Sequence, residues 1–75
     1  MYQEEEKYKL IRERLCRARE EANLSQLETA RLLNKSQWYV SRSETGARRV
    51  DVVELIEFGK VYGKSLYYFL EGYLD

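Results

Sequence analysis

Apolar side chains recur along this chain at helical rather than strand spacing. Tyr8, Ile11, Leu15, Ala18 and Ala22 fall within an arc of roughly 80° on a helical wheel, which predicts a first helix over residues 4–22. Glu4, Glu5 and Glu6 occupy its first turn, where negative charge suits the positive end of the helix dipole. The basic residues Lys7, Lys9, Arg12, Arg14 and Arg17 mostly lie off the stripe and read as a solvated face. Asn23 is the stop. Further on, Val52, Leu55, Ile56, Gly59 and Tyr62 share one face of another helix. Asp51 is its N-cap, Glu54 stands at the capping-box position, and Gly63 is its stop. Ser65 then caps a last helix running to about Glu71, before Gly72. Its Leu66, Phe69, Leu70 and Tyr73 share a face that can close the core. Tyr67, Tyr68 and Leu74 point elsewhere, and contiguous exposed apolar surface of that kind suits a dimer interface. Tyrosines that simply wet their hydroxyls explain them as well.

Between these lies SQLETARLLNKSQWYVSRSETG, residues 25–46. Ser25 is a natural N-cap, and Glu28 can reach back to complete a capping box. The helix that follows holds Ala30 and Leu33 on one side and stops at Asn34, a residue that tolerates the left-handed conformation. After Lys35, Ser36 caps a second short helix that reaches Thr45, with Gly46 as its stop. Two helices joined so briefly suit a helix-turn-helix better than an antiparallel hairpin. On the second of them Tyr39, Val40 and Ser43 share the inner arc. Gln37, Trp38, Ser41 and Arg42 share the outer one. Such an outer face can read base edges in a major groove, Gln pairing with adenine, Arg with guanine, and an apolar surface meeting a thymine methyl. The alternative is a solvated amphipathic helix whose Trp38 turns into the core.

Seventy-five residues, 44% of them hydrophobic, make one domain near the lower limit for a self-sufficient core. No Pro and only four Gly favour an all-helical chain with short connections. The single Cys16 cannot form an intramolecular disulfide, which suits a reducing cytoplasm. No apolar run approaches the ~20 residues of a membrane span, and the start lacks the pattern of a secretion signal. Formal net charge is zero, yet its distribution is uneven. Residues 7–49 carry eleven Lys or Arg against five Glu, a net +6, between ends of −3 each. A basic middle of this kind is compatible with one DNA-facing side. Arg48 and Arg49, in the loop beyond Gly46, are candidates to clamp a phosphate backbone. Catalysis finds little support. There is no His for a Ser-His or Cys-His nucleophile, no metal-ligand spacing, no phosphate-cradling Gly loop and no implied cofactor. Cys16, beside Arg17, reads as a packing thiol.

Three segments in order, RLCRAREEANLSQ, YVSRSETG and ARRVDVVELIEFGKVYG, make residues 11–70 resemble the lambda-repressor/Cro-like helix-turn-helix family, also called the XRE family. The resemblance implies a five-helix, all-α, lambda-repressor-like DNA-binding domain. It implies a small cytoplasmic, bacterial or phage transcription regulator of the repressor type. Such a regulator acts as a homodimer on double-stranded DNA with two-fold related half-sites. It further implies an ion pair of Arg19 with Glu44, tying the first helix to the recognition helix, and a phosphate-gripping role for Gln26. Thr29 and Ser43 stand where the family has larger apolar residues, and Gly59 where it favours Ala. An Ile at position 43 is therefore expected to fill space. The rival function is an adaptor or antitoxin module of the same fold, gripping a protein partner through Trp38 and the tyrosines.

Overall fold

The computed structural model describes residues 3–74, with the side chains of residues 6 and 8–73. Five helices account for the regular structure of these residues: α1 Gln3–Glu21, α2 Gln26–Leu33, α3 Gln37–Thr45, α4 Val52–Tyr62 and α5 Leu66–Leu74. The punctuation is local chemistry. Ser25 accepts the Glu28 N–H while the Glu28 carboxylate accepts the Ser25 N–H, at 3.0 and 2.8 Å. Asp51 and Glu54 repeat the reciprocal box at α4. Ser36 caps α3 by accepting the Tyr39 N–H. Asn34 sits at φ 58 and Gly46 at φ 89, both left-handed, so α2 and α3 each stop where the sequence offers a residue for that conformation. Asn23, at φ 59, does the same for α1.

All five helices contribute to one core. Leu15 and Ala18 of α1, Ala30 of α2, Val40 of α3, Leu55, Phe58 and Tyr62 of α4 and Phe69 of α5 are buried. Phe58, outside the apolar stripe expected for α4, is central to it. Its ring stacks between Tyr39 and Tyr62, with centroids 5.7 and 5.9 Å away. The large ring takes the middle of the buried face, which rotates Val52 and Ile56 outward to 57% and 39% exposure.

The last helix also differs from expectation. Gly72 lies within it, and α5 continues to Leu74. A Cβ on Gly72 would collide with Leu10 of α1, so this glycine lets the two helices approach. That approach turns the buried side of α5 toward Tyr68 and leaves Tyr73 at 44% exposure. Tyr68 therefore does not project outward. Arg14 donates to its carbonyl oxygen at 2.7 Å, its ring meets Phe69 edge-on, and the cations of Arg14 and Lys64 lie over it. Tyr67 is exposed. The side chain of Leu74, the third expected interface residue, lies outside those described, as do those of Glu4, Glu5 and Lys7.

Two buried polar positions mark where the core departs from an apolar one. Thr29 is fully buried beneath α4, and its hydroxyl lacks a well-formed hydrogen bond, as does that of Tyr62. The two are close enough for Thr29 to act on the Tyr62 phenol, whose pKa burial nonetheless pushes up to about 12. Ser43 is different. Its Oγ donates to the Tyr39 carbonyl at 2.7 Å and accepts from Arg48 Nη1 at 3.1 Å. Ser43 is thus not the plain apolar vacancy that the expectation of a filling Ile assumes, since an Ile there would give up both bonds and leave Arg48 Nη1 without this partner.

Candidate nucleic-acid interface

Recognition of a duplex by a short helix needs two things from the rest of the molecule: an outward face left uncovered and a rigid seat. The seat is built from a chain of polar contacts that crosses α1, α2 and α3. Arg19 donates from Nε to Glu44 Oε2 at 2.7 Å and from Nη2 to Glu44 Oε1 at 3.2 Å, a two-pronged pairing. Its remaining Nη1 donates to the Leu24 carbonyl at 2.9 Å, fixing the turn into α2. The side chains are 16% and 7% exposed, so the pair is largely shielded from water. The bond to Glu44 raises the Arg19 pKa against the opposing pull of burial, keeping it charged.

Gln26, first residue of α2, extends the chain. Its Nε2 donates to Glu44 Oε1 at 3.1 Å, and its Oε1 accepts from Gln37 Nε2 at 3.5 Å, a long bond. The first residue of α3 is thereby linked through Gln26 to the buried carboxylate. Cys16 lies beside the same cluster. Burial and the neighbouring Glu44 and Glu20 carboxylates raise its pKa, which keeps the thiol protonated.

The outward face stands clear of the core. Trp38 is 65% exposed and does not turn inward. Gln37 and Arg42 are exposed, and Ser41 is half-buried. The Arg42 guanidinium lies over the Trp38 ring at 4.1 Å. This stacking, typical of arginine and tryptophan, restricts two large side chains together.

The two loop arginines part company. Arg48 Nη2 pairs with Glu54 at 2.8 Å, its Nη1 goes to Ser43, and its guanidinium stacks 4.3 Å from the Tyr39 centroid. It braces the α3–α4 loop from inside. The bond to Glu54 raises the Arg48 pKa and lowers that of its partner. Arg48 thus holds its guanidinium inside the loop, where the sequence reading expects it on a phosphate. Arg49 is exposed and lies over Tyr8, donating to its hydroxyl at 3.2 Å. Gln26 keeps its place at the start of α2, but its amide is engaged within the cluster.

Two contributions escaped the sequence pattern. Arg14 and Arg12 were expected on a solvated face, and both are half-buried. Arg14 ties α1 to α5 through Tyr68 and Glu71. Their positions follow from how α5 and the loop close over α1, which no local periodicity reports. No helix among the described residues is long and apolar enough to cross a membrane.

Comparison with curated proteins and with solved structures finds no match to this chain. Comparison with protein families finds one described as helix-turn-helix, matching residues 17–69. That stretch runs from the C-terminal part of α1 to Phe69 of α5 and contains the whole Arg19–Glu44–Gln26–Gln37 chain. With this match, the five-helix fold and the order of its motifs, the chain belongs to the lambda-repressor/Cro-like, or XRE-type, family of DNA-binding helix-turn-helix proteins.

Proposed function

We propose that the protein is a sequence-specific, double-stranded DNA-binding transcription regulator that inserts α3 into the major groove. The observation that carries this reading is the pairing of an exposed outer arc on α3 with an inner arc locked to α1 and α2. Gln37 reads adenine and Arg42 reads guanine. Trp38 offers an apolar surface to a thymine methyl, and Ser41 adds a weaker hydroxyl contact. Gln26, at the N-terminus of α2, and Arg49, in the loop after α3, contact phosphates on either side. Arg48 contributes indirectly, by holding the loop that carries Arg49. A homodimer formed through the exposed Tyr67 of α5, with Leu74 as the further interface residue expected from the sequence, places two such helices on two-fold related half-sites. The compartment is the bacterial or phage-infected cytoplasm.

One observation favours a second reading. An exposed Trp under an Arg is also the composition of a protein-binding hot spot, so an adaptor or antitoxin could use the same pair. Selection of bound sequences from a random duplex pool, followed by titration of the selected duplex at several salt concentrations, separates the two. Sequence enrichment with affinity falling steeply as salt rises supports DNA reading. A flat selection, with salt-insensitive capture of a protein, supports the adaptor.

A further inference from the structure

Behind α3, on the side away from Gln37, Trp38 and Arg42, a pocket of about 190 Å³ opens between α1 and the α3–α4 loop. Its floor is apolar, made by Ile11, Leu15 and Val50, with the Ser43 hydroxyl to one side. Its rim is cationic, with Arg12 and Arg49 among the lining residues. Arg12 is the informative one. It lies flat against Gly46, so that a Cβ there would stand 2.8 Å from its Cδ and 3.1 Å from its Cζ. It is half-buried, yet no carboxylate or carbonyl of the described residues accepts from its guanidinium. The other half-buried arginines of the chain, Arg14, Arg19 and Arg48, each hold a carboxylate. A partly desolvated guanidinium beside an apolar floor suits a ligand with a negative head and a compact apolar body. The volume is similar to that of an engineered cavity of about 150 Å³ that admits benzene, which suits a body of about one ring.

We propose that this pocket is a binding site for a small organic carboxylate, its carboxylate on Arg12 and its apolar body on Ile11, Leu15 and Val50. No step of the inference requires DNA binding by α3. The test is titration of the isotope-labelled protein, followed by amide NMR, with benzoate, with benzamide as its uncharged counterpart, and with inorganic phosphate. Benzoate should shift the amides of Gly46, Ala47 and Val50 saturably, and the other two probes should leave them largely unmoved. In folded Arg12→Gln protein, benzoate should bind about tenfold more weakly, as expected for loss of a charge-assisted bond. Equal shifts with benzamide would overturn the proposal, since the charge would then be irrelevant. Equal shifts with phosphate would also overturn it, marking a phosphate clamp such as a DNA backbone would use. Absence of saturable shifts, or wild-type affinity in Arg12→Gln, has the same force. If Arg12→Gln does not fold, the comparison of benzoate with benzamide on the wild type decides alone.

Discussion

Glu44 is the residue at which three helices meet, since Arg19, Gln26 and, through Gln26, Gln37 all depend on its carboxylate. Removing Arg19 leaves that carboxylate, only 7% exposed in the intact pair, with one amide donor. Breaking a buried pair costs ~3–5 kcal/mol, whereas a surface pair is worth ~0–1. The 16% and 7% exposures place this one close to the buried case. Arg19→Ala should therefore lower the denaturant midpoint by the equivalent of roughly 3 kcal/mol, and an unchanged midpoint would count against the shielded pair. Tyr62 gives a pH signature of its own. Its phenol is raised from 10.0 to about 12, so folding favours the neutral form. The stability this contributes is intact below the unfolded pKa near 10 and is lost as pH rises toward 12. Across that window the wild type should lose roughly 2–3 kcal/mol that Tyr62→Phe does not. Urea unfolding of both proteins at neutral and alkaline pH checks it, and parallel loss in the two would contradict it.

Among the elements, the ends of α1 to α4 and the two short central helices were legible in the sequence, whereas the end of α5 was not. Caps such as Ser25, Asn34, Ser36 and Asp51 act through contacts within a few residues of themselves. The faces of α4 and α5 were less legible, because a wheel weighs apolar positions without knowing which neighbour arrives. Phe58 displaced Val52 and Ile56 once Tyr39 and Tyr62 stacked on it, and Gly72 became a crossing point only because Leu10 meets it. Gly59 shows the same dependence on neighbours. Helix propensity alone makes Ala better than Gly by ~1 kcal/mol. Yet a Cβ at position 59 would strike the carbonyl oxygen of Lys64, a backbone atom held by its own turn, with the Phe69 ring 3.4 Å away. The steric term should win, so Gly59→Ala is expected to destabilise by about 1–3 kcal/mol. A higher melting temperature for Gly59→Ala would show that the turn after α4 yields easily.

At the scale of the whole molecule, the candidate site was legible as a helix face but not as a wired unit. Spacing separates the arc of Gln37, Trp38 and Arg42 from that of Tyr39, Val40 and Ser43. It cannot reveal that Arg48 turns back to Ser43 and Glu54 while Arg49 stays on the surface, since both follow Gly46 in the same loop. For the proposed dimer, Tyr67 is now the position to test, because Tyr68 is enclosed by Arg14, Lys64 and Phe69. Tyr67→Glu should yield a folded monomer with weakened binding to a two-site operator, where the second half-site no longer adds its linkage. A wild type that sediments as a monomer with and without DNA would end that proposal. The most direct measurement concerns α3 itself: affinities of the wild type, Gln37→Ala, Arg42→Ala and Arg49→Ala on the selected duplex and its single-base variants, at several salt concentrations. Gln37→Ala and Arg42→Ala should each lose ~1–3 kcal/mol on the preferred site and relax the choice at one base pair. Arg49→Ala should weaken binding to all the duplexes alike and reduce the salt slope by about one. If Gln37→Ala and Arg42→Ala keep both the affinity and the base preference of the wild type, α3 does not read DNA.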